Sequence, residues 1–230
     1  MSPKKGINFN KADTKQIKRI NAIAKVSAQL FADKGYLETS MDDIAAAAKV
    51  TKGGIYHYFG SKTDILYFIC STYVDLDLEN LEYSLSTIET TAEKIKFIIF
   101  RHIGHYATHV YAAKTLLNEA YNLPLKYFKE VKAREKRYFG IVSGVLSQSH
   151  AARGRKDIVT AMAFSLFAMV NWIYSWYNPK GSMKPEELSQ LVYDIFMGGI
   201  NNPVLTTKNI VSADGISLKT GPRKEAKGRR

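Results

Sequence analysis

Apolar side chains recur at every third or fourth position along most of the chain, and no stretch alternates apolar and polar residues as a strand would. The first such stripe begins after Thr14, includes Ile17, Ile20 and Ile23, and ends near Gly35. A period of this length places apolar residues on one face of a helix. The pattern therefore predicts an all-α protein of about nine helices.

The predicted helices differ in how their apolar residues are distributed. From 61 to 88 the stripe continues without a stop, which predicts one long linking helix that could transmit movement between the two halves of the chain. From 91 to 113 nearly every face is apolar, which is typical of a buried helix. Further helices are predicted at 114–122, 124–148, 157–177 and 182–199.

Two short helices are predicted to meet at a steep corner. Thr39 or Ser40 is placed to cap the first and Thr51 the second, because a hydroxyl oxygen can accept from the unpaired N–H groups of a first turn. Lys49 and Val50 leave too short a break for a loop, so the helices must cross steeply. This is the pattern of a helix-turn-helix. A purely structural helical corner has the same spacing and remains the alternative.

The second helix of this corner begins with two adjacent glycines, Gly53 and Gly54. Each costs a helix about 1 kcal/mol relative to alanine, so neither is explained by stability alone. Glycine does allow another backbone to approach closely, and the second helix of a helix-turn-helix enters the major groove by its N-terminal end. The glycines therefore favour a nucleic-acid contact at this helix.

The charge of the chain points to the same partner. The 230 residues carry a formal net charge of +12, and basic residues concentrate in residues 1–20 and 201–230. A strongly basic protein commonly binds a polyanion. Residues 1–13 and 201–230 also lack apolar periodicity, and we predict that both are flexible basic tails.

The remaining composition predicts a cytoplasmic protein. Cys70 has no second cysteine with which to form an internal disulfide, and the N-terminal lysines are not followed by the apolar stretch of a secretory signal. The longest apolar run, residues 158–177, is interrupted by Ser165, Asn171 and Ser175. We therefore expect a buried helix there and no membrane contact.

Short motifs around the corner are typical of one protein family. They are FADKGY at 31–36, Thr39-Ser40 before Ile44-Ala45, and Val50-Thr51-Lys52-Gly53 followed by Tyr56, Phe59, Ser61, Lys62 and Leu66. With these motifs, residues 14–80 resemble the DNA-binding domain of the TetR family of bacterial transcriptional repressors. Lys49 departs from the family, which usually has glycine in the turn, but a lysine can adopt the required conformation at some strain.

The resemblance implies a homodimer of all-helical subunits that binds a double-stranded DNA operator. It divides the chain into a helix-turn-helix domain at 14–60, the linking helix at 61–88, and a ligand-binding and dimerisation domain at 89–200. By this resemblance Tyr56, His57 and Lys62 hold phosphates and the start of the second helix faces the bases. The predicted DNA-binding residues are Thr39, Ser40, Thr51, Lys52, Gly53, Gly54, Tyr56, His57 and Lys62.

A second, shorter resemblance concerns the effector. Asn171-Trp172, Trp176-Tyr177, Pro179, Gly181 and residues 185–188 resemble a TetR subgroup that represses fatty-acid and sterol catabolism and responds to acyl-CoA thioesters. This implies a small-molecule effector that is an acyl-CoA. Another apolar or aromatic compound, acting on a regulator of efflux or stress genes, is the alternative. No cofactor is predicted.

Candidate effector-binding residues lie on the predicted buried helix and on later helices. His102, His105 and His109 share one helical face with Tyr106. Three histidines could ligate a metal, but no cysteine or carboxylate nearby in sequence completes a site, so we prefer an apolar pocket with a few polar groups. The predicted lining residues are His102, His105, Tyr106, His109, Tyr121, Phe128, Phe164, Phe167 and Trp172.

The last two long helices are predicted to pair with their copies across the twofold axis of the dimer. The predicted interface residues are Trp176, Leu188, Leu191, Val192, Ile195 and Phe196.

Two rival classes of function remain. For an enzyme, the sequence contains no phosphate-binding glycine loop, no nucleophile elbow and no HExxH motif, so no catalytic residue is predicted. For a nonspecific architectural DNA-binding protein, the basic tails would suffice.

Overall fold

The computed structural model describes residues 14–152 and 154–201, and both predicted tails lie outside these residues. The described residues are mainly helical and contain no strand, as the apolar period predicts. The α-helices are α1 Thr14–Lys34, α2 Met41–Ala48, α3 Lys52–Tyr58, α4 Lys62–Leu78, α5 Leu81–Ser86, α6 Thr91–Thr108, α7 Val110–Glu119, α8 Leu125–Ser147, α9 Lys156–Asn171 and α10 Pro185–Asn201. Short 3-10 turns occupy Ala120–Asn122, His150–Ala152 and Trp172–Ser175.

Side-chain caps start the helices at the predicted corner. Ser40 caps α2 in a capping box with Asp43, Thr51 accepts from the Gly54 N–H at the start of α3, and Ser61 caps α4. The turn between α2 and α3 requires Lys49 to adopt a left-handed conformation with a φ of 53°. The corner therefore forms as predicted, with its strain located at Lys49.

A common apolar core holds α1 against this corner. Ile20 and Phe31 from α1, Ile44 from α2 and Ile55 from α3 are fully buried, and Phe59 follows α3 into the same core. These side chains fill the space where the helices cross, so the exposed face of α3 is presented on a packed support.

The predicted linking helix is two helices, because the chain breaks at Glu79 and Asn80. Asn80 has a left-handed φ of 54°, and the Arg101 guanidinium donates to the carbonyls of Leu76 at 2.6 Å and Glu79 at 2.7 Å. Arg101 thereby satisfies carbonyls at the end of α4 that have no partner within the helix. The apolar period continues across the break because α5 buries Leu81 in the same core.

The predicted helix at 91–113 is also interrupted. α6 ends at Thr108, His109 takes a non-helical conformation with φ of −129°, and α7 then starts at Val110. Further along, α9 ends at Asn171, and α10 begins at Pro185 rather than Ser182 and continues through Gly198 and Gly199. Apolar spacing alone did not reveal the ends of α6 and α9, because apolar residues such as Val110 and Trp172 follow each break.

The segment Lys156–Ser175 is only partly buried, whereas the sequence predicted a buried helix. It is the one segment of the described chain that is long and apolar enough to cross a membrane by length and composition, and 28% of it is buried. One side of α9 packs inward through Met162, Ala163, Leu166 and Val170. The opposite side exposes Phe164, so α9 has apolar residues both on its buried face and on its solvent-exposed face.

Candidate nucleic-acid interface and effector site

The outward face of α3 carries most of the predicted DNA-contacting side chains. Thr51, Lys52 and His57 are exposed, and 40% of Tyr56 is accessible. Lys52 forms an exposed ion pair with Asp42, with 2.9 Å between Nζ and Oδ2. An exposed pair of this kind contributes little stability, so Lys52 can exchange the carboxylate for another anion.

Gly54 has a structural reason to be glycine. A Cβ at this position would lie 3.3 Å from Thr51 Oγ1, the oxygen that accepts from the Gly54 N–H. At Gly53 the nearest atom to such a Cβ is 4.0 Å away, so packing within the subunit does not demand glycine there. Packing within the subunit therefore does not explain why residue 53 is glycine, and its backbone is exposed at the start of α3.

Thr39 does not lie on the predicted DNA surface. It is buried, and its Oγ1 donates to the Gly35 carbonyl at 2.7 Å. Its hydroxyl is used in closing the turn after α1, so the prediction of a DNA contact is wrong for this residue. Ser40 is exposed beside it, with its hydroxyl engaged by Asp43 in the α2 cap.

The Lys62 side chain turns inward and joins three segments of the domain. Its Nζ donates to the carbonyls of Tyr36 and Thr39, both at 2.7 Å, and to that of Leu37 at 3.3 Å. The ammonium also lies 4.3 Å from the centre of the Tyr36 ring, and its burial lowers the pKa of Lys62. All three N–H groups are occupied, so we remove Lys62 from the predicted phosphate contacts.

Comparison with known proteins identifies both halves of this fold. Residues 23–67 match the model for bacterial regulatory proteins of the tetR family, and residues 89–200 match the tetracyclin repressor-like C-terminal domain. A TetR-family transcriptional regulator from Bordetella parapertussis superposes with a TM-score of 0.72 and 30% sequence identity, covering 78% of this chain and 94% of that one. The chain belongs to the TetR family.

Relatives of this TetR-family chain include regulators of known type. The transcriptional repressor KstR2 of Mycolicibacterium smegmatis is 26% identical over 79% of this chain and 90% of its own length. The structure of AibR in complex with isovaleryl coenzyme A and operator DNA superposes with a TM-score of 0.68 and 29% identity, covering 77% of this chain and 97% of AibR. The family consists of ligand-responsive transcriptional regulators that bind DNA and usually act as dimers.

A buried polar cluster occupies the centre of the C-terminal half. Asp77, at the end of α4, is 4% exposed, and one of its oxygens lies 2.7 Å from His105 Nδ1. His102 Nδ1 lies 3.2 Å from the Tyr138 hydroxyl, and His102 Nε2 lies 3.0 Å from Asn171 Oδ1. The cluster thus joins α4, α6, α8 and α9 through hydrogen bonds inside an otherwise apolar core.

Tyr138 acts as a neutral hydroxyl within this cluster. Burial raises its pKa well above the ordinary value, and the negative charge of Asp77 raises it further. Phe167 packs edge-on against both Tyr138 and His102, with ring centres 5.5 and 6.3 Å apart. A small number of polar groups enclosed by aromatic rings is typical of a ligand-recognition site.

Several predicted lining residues lie elsewhere. His109 and Tyr121 are exposed, so neither lines an internal pocket, and Phe164 and Trp172 are 63% and 62% exposed on the surface of α9 and the turn after it. Tyr106 is buried beside Tyr177. Phe128 is half-buried on α8, with Lys132 Nζ 5.5 Å from its ring. The three histidines therefore do not converge, since His109 lies outside.

The predicted interface residues divide into two groups. Leu188, Val192 and Phe196 are buried within the subunit, so their assignment to an interface between subunits is wrong. Trp176, Leu191 and Ile195 are 59%, 46% and 57% exposed. An apolar period cannot separate the two sides of α10, because one side packs on α6 and the other carries exposed apolar residues.

Asp77, Tyr138 and Asn171 are the site residues that the sequence prediction missed. The available signal was weak, because Asp77 alternates with Leu76 and Leu78 and has acids, Asp75 and Glu79, two residues to either side. A charged residue at a core position is expected to have a buried partner. Its partners lie 25 or more residues away, and only the fold brings them together.

Proposed function

We propose that this chain is a dimeric repressor that binds a palindromic DNA operator through α3 and releases it on binding an acyl-CoA thioester. The observation that carries the effector assignment is the superposition on AibR, which was crystallised with both isovaleryl coenzyme A and operator DNA. The proposal divides the chain into a DNA-binding domain at 14–60 and an effector-binding and dimerisation domain at 89–200, and makes it a cytoplasmic regulator with no catalytic activity.

The DNA-binding role follows from the exposed end of α3. Thr51, Lys52 and Gly53 face solvent at its N-terminal end, where a major groove would receive them, and Tyr56 and His57 follow toward its other end. Hydroxyl, ammonium and backbone groups at the helix start suit base edges. Tyrosine and histidine farther along suit phosphates, which fix register without reading sequence.

The effector role is assigned to the cluster around His102. His102, Tyr138 and Asn171 supply hydrogen-bonding groups, and Phe167 supplies an aromatic wall. A thioester carbonyl needs a donor in an apolar setting, which a neutral Tyr138 hydroxyl or an imidazole N–H provides. Because Asp77 ties this cluster to α4, an effector that rearranges it acts directly on the helix that follows α3.

Repression and release are then two states of one dimer. The dimer holds two copies of α3 at the separation of successive major grooves, and the effector favours a different separation. The switch is limited by the difference in effector affinity between the two states, and by linkage DNA weakens effector binding by the same factor.

Operator binding is tested with fluorescence anisotropy on the palindrome upstream of the chain's own gene. Wild type is expected to bind with a strong salt dependence, and Tyr56→Ala to weaken binding without lowering the melting temperature. Tyr83→Ala, at an exposed tyrosine on α5, is the matched control and should bind like wild type. Absence of wild-type binding, or equal binding to a scrambled duplex, would contradict the assignment.

Effector class is tested by adding isovaleryl-CoA, a long-chain acyl-CoA, free CoA, a free fatty acid or an aromatic compound to the DNA complex. The proposal expects release by an acyl-CoA and no release by free CoA. Release by the aromatic compound alone would support the alternative effector class. His102→Ala should abolish release while operator binding persists.

A further inference from the structure

A basic cleft lies between the first turns of α1 and the end of α3. It has a volume of about 640 Å³ and is lined by Lys15, Gln16, Lys18, Arg19, Ala22, His57 and Tyr58. The cleft is separate from the start of α3, where bases would be read, but it shares His57 with the predicted DNA surface. It is thus continuous with that surface along one edge.

The three cations of the cleft have no ion-pair partner in the part of the chain that the structure describes. Lys15, Lys18 and Arg19 are exposed, and within 14–152 and 154–201 no carboxylate lies at ion-pairing distance from any of them. Lys34 and Lys52 differ from these three, because Lys34 pairs with Asp43 and Lys52 pairs with Asp42. The cleft is therefore a local cluster of positive charge beside a corner in which Lys34 and Lys52 are paired.

This clustering of like charges lowers folding stability, and a bound anion from outside the subunit would explain why the three cations lie together. Lys15 lies three and four residues before Lys18 and Arg19, and like charges at these helical spacings repel by a few tenths of a kcal/mol per pair. An anion shared by the three side chains would remove the repulsion. Tyr58 and His57 form the opposite wall, and their rings are perpendicular with centres 4.9 Å apart.

We propose that this cleft clamps the phosphate backbone of the operator beside the groove that α3 enters. The inference rests on the proposed function, since it needs α3 to lie in a major groove. With α3 in place, its end and the adjoining turns of α1 face the flanking backbone rather than the bases. Among anions, DNA phosphates are the ones brought to this edge by a docked α3.

A backbone clamp has a distinctive energetic signature. Contacts to phosphate release counterions, so each one steepens the dependence of log affinity on log salt by about 0.9. Such contacts carry no base information, so they strengthen binding to cognate and scrambled duplexes alike. The cleft would therefore set the affinity and the salt response of the repressor but leave its choice of operator to α3.

The test measures operator affinity over a series of salt concentrations. The triple variant Lys15→Ala, Lys18→Ala, Arg19→Ala is compared with wild type and with Lys25→Ala. Lys25 is exposed on the same helix two turns after Lys18, outside the cleft. The triple variant is expected to lower the salt slope by about 2 to 3 for each subunit, or about 5 for the dimer, at an unchanged ratio of operator to scrambled affinity. Lys25→Ala should keep the wild-type slope.

A triple variant that folds, binds the operator and keeps the wild-type slope would overturn the clamp. So would an equal loss of slope in Lys25→Ala, because the effect would then reflect net charge and not the cleft. Failure of the wild type itself to bind the operator would remove the proposed function and the clamp together. Binding by wild type with an unchanged slope in the triple variant removes the clamp alone.

Discussion

The Tyr127 hydroxyl donates to Asp64 Oδ1 at 3.3 Å, and this bond joins the first turn of α8 to the first turn of α4. Tyr67 stacks on Tyr127 with ring centres 4.3 Å apart, and its hydroxyl donates to Glu130. Asp64 lies in the turn of helix that follows α3, close enough to Gly60 that a Cβ on Gly60 would lie 2.9 Å from Asp64 Oδ2. The C-terminal half therefore holds α4 at the end that adjoins α3.

This contact changes the route by which movement can reach α3. A single long linking helix would act as a lever from its far end, whereas α4 ends at Leu78 and is held by α8 near its start. A shift of α8 can thus turn α3 through Tyr127 and Asp64, while the cluster around Asp77 acts at the other end of α4.

Tyr127→Phe tests this route, because it removes the hydroxyl and keeps the ring stack. We expect a loss of about 1 kcal/mol of stability from the missing hydrogen bond, and a smaller effect of effector on operator affinity. Urea unfolding and operator titrations with and without isovaleryl-CoA measure the two effects. Tyr121→Phe, at an exposed tyrosine, should change neither. Full retention of effector response would exclude this route.

Lys62→Met tests whether Lys62 supports the fold or binds phosphate. The variant leaves the carbonyls of Tyr36 and Thr39 without their charged donor, so we expect destabilisation of about 2 kcal/mol. The salt slope of operator binding should stay at the wild-type value when measured below the melting temperature. A shallower slope with unchanged stability would restore Lys62 to the phosphate contacts.

Asp43 supplies a prediction about acid. The Ser40 backbone N–H, then Lys34 and the Ser40 hydroxyl, lower the pKa of Asp43 from 3.8 to about 2. A carboxyl with a depressed pKa in the folded state stabilises the protein above its unfolded pKa, and this contribution is lost as pH falls through about 2. An NMR titration should place the Asp43 midpoint near 2, and Lys34→Met should raise it. A wild-type midpoint near 3.8 would contradict the capping geometry.

The buried cluster predicts unequal effects for two acids on α4. Asp77→Ala removes the buried hydrogen-bond partner of His105 and the carboxylate 3.6 Å from His102 Nδ1, so we expect a loss of about 3 kcal/mol. Asp75 pairs with Arg134 at the surface, and Asp75→Ala should cost less than about 1 kcal/mol. Urea midpoints of the two variants make the comparison. Equal midpoints would mean that the cluster contributes no more than a surface pair.

The corner could be predicted from sequence because its determinants are local. The capping residues Ser40, Thr51 and Ser61 lie within three residues of the N–H groups they satisfy, so a short stretch of sequence is enough to predict where these helices begin. The break at Asn80 could not be predicted, because it depends on Arg101, which reaches back from another helix. The contacts of Lys62 could not be predicted for the same reason, since the carbonyls to which it donates are 23 to 26 residues away.

The aromatic residues show a second limit of sequence patterns. Phe164 and Phe167 lie on the same helix, yet the first is exposed and the second packs against Tyr138. Core, pocket and subunit interface all require apolar side chains, so composition and period do not distinguish them. Only the packing of α9 against its neighbours assigns each ring to a face.

The exposed apolar face of α9 and α10 provides the last prediction. Phe164 on α9, Trp172 and Trp176 just after it, and Leu191 and Ile195 on α10 are all exposed, and large exposed apolar residues in this number favour a protein contact. We expect that two copies of this face form the dimer. Ile195→Glu places a charge within it and should yield a folded monomer with weakened operator binding, as measured by light scattering and anisotropy. Tyr83→Glu, at an exposed aromatic residue on α5, should remain a dimer. The carboxylate of Ile195→Glu would be buried between subunits, whereas that of Tyr83→Glu would stay in solvent. A dimer that survives Ile195→Glu with undiminished affinity would place the subunit contact on another surface.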